Sequence, residues 1–178
     1  MPSLAENQMT LNVRLAILSD FKGLASLRWL SRSTDECARQ SQEYFDREFG
    51  QWFARALASG RWHIAVAVSR SGDLCGCIYL QVVEKLPVPG NSKRAWGYVT
   101  NSFVREGERR AGAGSLMLEF LIECARKLDL ELLMVWPSSE AVSLYERAGF
   151  LAPEAQRTAL PDEEPTFVLH LGSACGKA

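Results

Sequence analysis

Histidine is scarce. The 178-residue chain has two, His63 and His170, too few to assemble the usual zinc-ligand spacings. Its five cysteines, Cys37, Cys75, Cys77, Cys124 and Cys175, are scattered, with one C-x-C pair and no C-x-x-C. An odd, dispersed set spells out neither a disulfide framework nor a redox pair. Charge of one sign is missing too: 20 Lys and Arg against 21 Asp and Glu leave a formal net charge of −1. That balance offers no broad field for nucleic acid or an anionic membrane. No apolar run approaches the ~20 residues that cross a bilayer. Residues 1–10 are polar and lack the charged-then-apolar order of a signal peptide. The chain has no internal repeat, low-complexity tract or interior linker. The expectation is a cytoplasmic protein without metal, nucleic-acid or membrane partners.

The composition, 47% apolar and 23% charged, suits one globular domain with a full core. We expect a single domain over 1–178, with its core at 11–171 and loose tails at 1–10 and 172–178. Residues 11–18 alternate as a strand, and Ser19-Asp20 is a helix-start signal. A second helix over 41–58 carries Tyr44, Phe45, Phe49, Trp52, Phe53, Ala56 and Leu57 on one side, with Gly60 as its stop. Residues 63–68 and 74–83 form a hairpin around Ser69-Arg-Ser-Gly-Asp. Cys75 and Cys77 are expected on one face of its second strand, as small buried hydrophobes. A strand over 95–104 follows. The next helix, 112–128, has Leu116, Met117, Phe120, Leu121, Cys124 and Leu128 on one face and Glu119, Glu123, Arg126 and Lys127 opposite. Residues 132–136 read as a strand covered on both faces. A short helix over 140–148 ends at Gly149, and two strands flank 161–165, the second at 166–171. The strand–helix–strand crossover makes its two strands parallel. The expected class is therefore α/β: a single mixed, mostly antiparallel twisted sheet with helices on its faces.

Chemistry concentrates in Ser102-Phe-Val-Arg-Glu-Gly-Glu-Arg-Arg-Ala-Gly-Ala-Gly-Ser115. A strand ends, an arginine-rich turn follows, and two glycines open an amphipathic helix. The first N–H groups of a helix lack internal partners, and its dipole favours negative charge there. Gly112 and Gly114 remove side chains that would keep a phosphate from the backbone, and Arg109 and Arg110 add positive charge. A Rossmann fingerprint would need a glycine where Met117 stands, and a P-loop would need Gly-Lys-Ser/Thr where Gly114-Ser115-Leu116 stands. Both are excluded. A glycine pair serving only close packing, or a grip on some other anion, stays open on these residues alone.

Arg109-x-x-Gly112-x-Gly114 resembles the Arg/Gln-x-x-Gly-x-Gly/Ala signature of the GNAT superfamily of N-acetyltransferases. Further on, Ser138-Ser-Glu-Ala141-Val-Ser-Leu-Tyr145-Glu-Arg-Ala-Gly149-Phe150 is similar to that family's Asn-x-x-Ala-x-x-x-Tyr-x-x-x-Gly-Phe segment. One helix and one strand fit between the two, as in the family. The resemblance implies a GNAT-like fold and acetyl-CoA as co-substrate. It implies that the backbone of Ser102, Phe103 and Val104 pairs with the pantetheine arm. It implies that Arg109, Arg110, Ala111, Gly112, Ala113, Gly114 and Ser115 hold the pyrophosphate. Ser138 stands where the family often has an asparagine on the cofactor, and Glu106 replaces a common proline.

The implied reaction moves an acetyl group directly to a primary amine of a small-molecule or peptide acceptor, with a homodimer left open. Tyr145 would protonate the leaving thiolate, and the Val104 amide would stabilise the oxyanion. The general base is not legible: 96–104 contains no acidic residue, and Tyr98, Asn101 and Glu84 are alternatives for ordering a water. His63 reads as a strand-end histidine. No cysteine has a nearby His or Asp partner, which argues against an acetyl-cysteine step. The missing base keeps a non-catalytic acetyl-CoA-binding sensor or interaction module as the alternative. Asp162, Glu163 and Glu164 lie where the family borders its acceptor; they would attract a cationic amine, though an acidic turn is first a solvated surface.

Overall fold

The computed structural model describes residues 11–151 and 166–171. Strand β1 (Asn12–Leu15) leads through a 3-10 turn, Leu18–Asp20, into α1 (Phe21–Leu30), a short α2 (Thr34–Cys37) and α3 (Gln42–Ala58). Strands β2 (Trp62–Val68), β3 (Leu74–Glu84) and β4 (Ala95–Val104) follow. After a second 3-10 turn, Glu106–Glu108, come α4 (Ala113–Lys127), β5 (Leu132–Val135), α5 (Val142–Arg147) and β6 (Phe167–His170). Ser41 caps α3 by accepting from the Tyr44 N–H at 3.2 Å. Asp20 does different work from the cap its position suggests: its carboxylate takes two hydrogen bonds from Arg14, at 2.6 and 2.9 Å, and one from the Ile17 N–H at 2.7 Å. The Arg14 bond chiefly holds this carboxyl below its usual range.

The described strands form one mixed sheet in the order β1-β2-β3-β4-β5-β6, antiparallel except for β4 and β5. Helix α4 supplies the crossover that a parallel pair requires. On one face α1 and α3 cover Ile64, Val66, Cys77 and Tyr79 with Leu24, Leu27, Phe49 and Phe53. On the other, α4 and α5 cover Ala65, Ala67, Ile78 and Leu80. Each large apolar side chain buried this way contributes about 1.5–3 kcal/mol.

Three local expectations need correction. Cys75 and Cys77 are both buried but belong to cores on opposite faces. The register between β2 and β3 shifts at Ala67/Val68, where Ala67 faces Gly76 and Val68 faces Leu74, so the bulge turns Cys75 over. On α4 the buried face is Ala113, Met117, Leu118, Leu121, Ile122 and Ala125; Leu116 and Leu128 are exposed and Cys124 only half-buried. The face turned to the sheet is therefore centred one residue further along the helix than the sequence pattern placed it, on Leu118, Ile122 and Ala125 beside Met117 and Leu121. In β5 only Leu133 and Val135 are buried, and Trp136 beyond it is 43% exposed, because one face is only partly covered. The strand expected before 161–165 lies outside the described residues.

A second bulge shapes the middle of the sheet. Cys77 pairs with Phe103 but Tyr79 with Thr100, so β4 has one residue more than β3 over this stretch. Asn101 takes up the excess with φ of 50°, a left-handed conformation that asparagine tolerates better than most residues. Such a bulge bends its strand and increases its twist. Strand β4 pairs with β5 only at Gly97↔Leu133 and Tyr98↔Met134. Beyond these two positions the parallel strands part, and a slot opens between them.

Candidate active site

Helix α4 starts at Gly112, whose φ is 83° and which has no side-chain cap. The first intrahelical bond runs from the Leu116 N–H to the Gly112 carbonyl at 3.0 Å, which leaves the earlier amides to face outward. A Cβ on Gly112 would meet nothing within 4 Å, and one on Gly114 would touch only Leu144, at 3.6 Å. Packing therefore does not demand glycine at either position, although the φ of Gly112 does. In front of these amides lies a cavity of about 400 Å³. Ser102, Phe103, Val104, Arg109, Arg110, Gly112, Ala113, Gly114, Ser115 and Ser138 all line it. Ala111 sits in the turn without lining it. Arg147 adds a third guanidinium, against the carboxylates of Glu108 and Glu140. The Arg109 Nε donates to the Val104 carbonyl at 3.1 Å, folding this side chain over the end of β4.

The slot adjoins this cavity and encloses about 510 Å³. It shares Ser102, Phe103, Arg109 and Ser138 with the first space and adds Thr100 and Asn101 from β4, Trp136 beyond β5, and Tyr145 from α5. Arg105 donates to the Cys75 carbonyl at 2.8 Å, and Phe103 pairs with Cys77. Alternation along an antiparallel ladder therefore turns the N–H groups of Ser102 and Val104 away from β3, Ser102 bordering both spaces and Val104 the first cavity. Tyr145 is 2% exposed and packs edge-on against Phe150 with ring centroids 5.3 Å apart. Burial pushes its phenol up to about 12; a hydrogen bond with Ser102 works the other way, and Tyr98 adds to the rise. Glu140, unnoticed in the sequence, is the one carboxylate among the described residues that lines the slot.

A third cavity, of about 430 Å³, continues from the slot on the α1–α3 side and shares Arg32, Thr100 and Asn101 with it. Its walls are Phe45, Phe49, Trp52, Trp62 and Tyr79, with Arg28 and Arg32 at its rim. Three spaces thus run end to end along β4.

A model of the acetyltransferase (GNAT) family matches residues 24–150. The chain belongs to that family. It is accordingly an acyltransferase of the N-acetyltransferase kind. Solved structures share its fold at low identity. Glucosamine-6-phosphate N-acetyltransferase from Arabidopsis thaliana is 20% identical with a TM-score of 0.66, over 86% of this chain and 99% of that one. A predicted acetyltransferase from Clostridium acetobutylicum, solved with acetyl-CoA, is 19% identical with a TM-score of 0.65, over 82% and 92%. The PaiA N-acetyltransferase from Thermoplasma acidophilum, solved with coenzyme A, is 12% identical with a TM-score of 0.68, over 92% and 100%. A search of curated protein sequences returns no match.

The residues weighed as a base in this acetyltransferase are dispersed. Glu84 is exposed at the far end of β3, 3.3 Å from Arg61. Tyr98 lies edge-on to Trp136 at 5.0 Å, and the Asn101 Oδ1 accepts from Arg28. His63 shares its face of β2 with Ala65, on the α4 side, and burial lowers its pKa. Asp162, Glu163 and Glu164 lie outside the described residues. No group of three or more metal-binding side chains occurs among the described residues, and no helix there is long and apolar enough to cross a membrane. Sequence reasoning missed Arg28, Arg32, Trp62 and Tyr79 altogether. One signal was present: the aromatic stripe of α3 is larger than its buried share, Phe49 and Phe53, while Phe45 and Trp52 remain half-buried and Tyr44 is exposed.

Proposed function

We propose that this acetyltransferase binds acetyl-CoA along β4, with the diphosphate at the start of α4, and acetylates a primary amine delivered to the slot. The observation that carries the reading is the uncapped α4 terminus, whose Gly112 has open space in front of it and three guanidiniums around it. Helix-end amides and arginines are a natural pair for a diphosphate. Gly112, Ala113, Gly114 and Ser115 would donate from the backbone, Arg109 and Arg110 would add charge, and Ser138 would border the chain leading into the slot. The outward N–H and C=O groups of Ser102 would pair with an amide-bearing arm in the manner of an added strand, leaving the Val104 N–H for the thioester carbonyl.

Acetyl-CoA, when bound, supplies a thioester open to attack by an amine. The Val104 N–H is the donor for the charge that builds on the carbonyl oxygen. Tyr145 keeps its proton at neutral pH and is the donor for the departing sulfur. A phenol near 12 is a weak acid beside an ordinary thiol near 8.5. Burial shifts thiols as well, however: the wholly buried Cys77 of this protein is pushed up to about 12. Partial desolvation of the departing sulfur in the slot would shift it in the same direction and narrow the gap.

Calorimetric titration with acetyl-CoA tests the reading. A Cβ at position 112 would meet no atom within 4 Å, and the left-handed φ adds about 1–2 kcal/mol of strain, so Gly112→Val should stay folded by circular dichroism while losing affinity. Unchanged affinity would move the diphosphate elsewhere. Binding without CoA formation across a panel of amines would support a non-catalytic acetyl-CoA-binding module instead.

A further inference from the structure

The third cavity has features that packing does not explain. Protein interiors close around voids, yet about 430 Å³ stays open between α1, α3 and the sheet, within the range of small-molecule sites of about 300–1,000 Å³. Trp52 and Trp62 stand edge to face, with centroids 5.3 Å apart and planes at 77°, and both rings also contact Tyr79. Tyr79 is 2% exposed, and its hydroxyl, with no hydrogen-bond partner among the described residues, belongs to a side chain lining this space. A buried hydroxyl left unpaired is costly unless something else completes it.

The charge at the rim is one-sided. Arg28 donates to the neutral Asn101 Oδ1. Among the described residues the ion-pair partner of Arg32 is Glu36, 3.6 Å away and outside the cavity. No carboxylate among the described residues lines the space. Burial, and then the neighbouring charge of Arg32, lowers the pKa of Arg28. An anion would relieve both costs, and a guanidinium fork matches a carboxylate in shape. A second cation would worsen them. Position narrows the choice further. Arg32, Thr100 and Asn101 border both this cavity and the slot, so an anion held there lies next to the place where the amine must react. An amine and a carboxylate borne on one carbon meet this arrangement, with the apolar body pointing away along the aromatic wall.

We infer that the acceptor is an α-amino acid with a large apolar or aromatic side chain, its carboxylate held by Arg28 and Arg32 and its side chain against the aromatic wall that Trp52, Trp62 and Tyr79 form. The inference rests on the acetyl-transfer reading above and names the substrate class for the same site.

The test compares L-phenylalanine with phenethylamine, which lacks the carboxylate, and with phenylalaninamide, which stands in for a peptide N-terminus. CoA formation is followed chromatographically, because the free cysteines would react with a thiol reagent. L-Phenylalanine should exceed both analogues in kcat/KM by about 10²-fold or more, as for other sites that hydrogen-bond a specific substrate group. In Arg28→Gln that preference should collapse; if this variant does not fold, Arg32→Gln carries the same comparison. Binding is read separately from the tryptophan emission, to which Trp52 and Trp62 contribute two of five indoles, as L-phenylalanine is added to CoA-saturated protein, with Trp52→Phe as the control that should diminish the change. Equal or better turnover of phenethylamine or phenylalaninamide overturns the inference and leaves acetyl transfer standing. Absence of both turnover and an emission change with L-phenylalanine also overturns it, and acetyl-CoA calorimetry then decides independently whether the acetyl-CoA reading survives.

Discussion

Tyr145→Phe removes one oxygen from a side chain that is 2% exposed and leaves the ring against Phe150. What the fold loses is the hydrogen bond with Ser102, about 0.5–1.5 kcal/mol. Ser102 borders the open slot and can turn to water. For a chain of this size, such a loss lowers the melting temperature by about 2–4 °C per kcal/mol. Truncation to alanine, by contrast, would cost about 3–5 kcal/mol through the cavity it leaves. The chemical consequence is on another scale. Loss of a general acid typically lowers turnover by about 10²–10⁴-fold, and it should appear in kcat while acetyl-CoA affinity stays put. Steady-state CoA formation beside calorimetry and thermal melting separates these effects. The pH dependence supplies an internal check. The phenol is pushed up to about 12 in the fold, against about 10 in the unfolded chain. Between those values the native state keeps a proton that the unfolded state has lost, so stability falls as pH rises through this window. The full difference is about 3 kcal/mol. Burial also pushes up Tyr79, which loses stability in the same direction and is retained in the variant. Tyr145→Phe should therefore show a shallower alkaline decline than the wild type, without abolishing it. A variant that turns over at near the wild-type rate would refute the acid role, and one that unfolds would make Tyr145 a packing residue.

Other substitutions probe the frame around the site. Gly114→Ala brings its Cβ to ordinary contact with Leu144, at 3.6 Å, and should raise helix stability by up to about 1 kcal/mol. The signature admits alanine at this position, so acetyl-CoA affinity should change little; a melting scan with a titration reads both, and a tenfold loss would show that the diphosphate needs the bare backbone here. Gly97→Ala should destabilise the fold by about 1–3 kcal/mol, because its Cβ would lie 2.5 Å from Leu133 and 2.6 Å from Leu80, both fully buried. An unchanged melting temperature would mean that these leucines yield freely. Asp20→Asn removes a carboxyl held below its usual range by Arg14. The contribution of Asp20 is present above about pH 4 and is lost as pH falls. Melting temperatures of the two proteins should therefore differ most near neutrality and converge in acid.

Much of the frame was legible locally. The strand expected over 95–104 coincides with β4, and Ser41 with its aromatic stripe anticipated α3 within one residue. Arg109, Gly112 and Gly114 formed a recognisable unit because a helix terminus needs particular backbone chemistry within a few positions, and Tyr145 was marked by its spacing to Gly149 and Phe150. Other features depended on partners distant in the chain. The bulge at Cys75 is a mismatch between β2 and β3, and that at Asn101 a mismatch between β3 and β4; neither leaves a trace within a single strand. The α4 face shifted because its depth against the sheet depends on what lies opposite. The aromatic cavity assembles Arg28, Trp52, Tyr79 and Asn101 from four elements, with Arg28 and Asn101 73 positions apart. Hydrophobic period, turn chemistry and helix-end motifs are short-range properties, so the sequence alone determined most of the elements, though not the short α2, together with the crossover and the family. Which side chains surround the slot, the charge they present there and the space they leave open are sums over long-range contacts, and only the tertiary structure decided them.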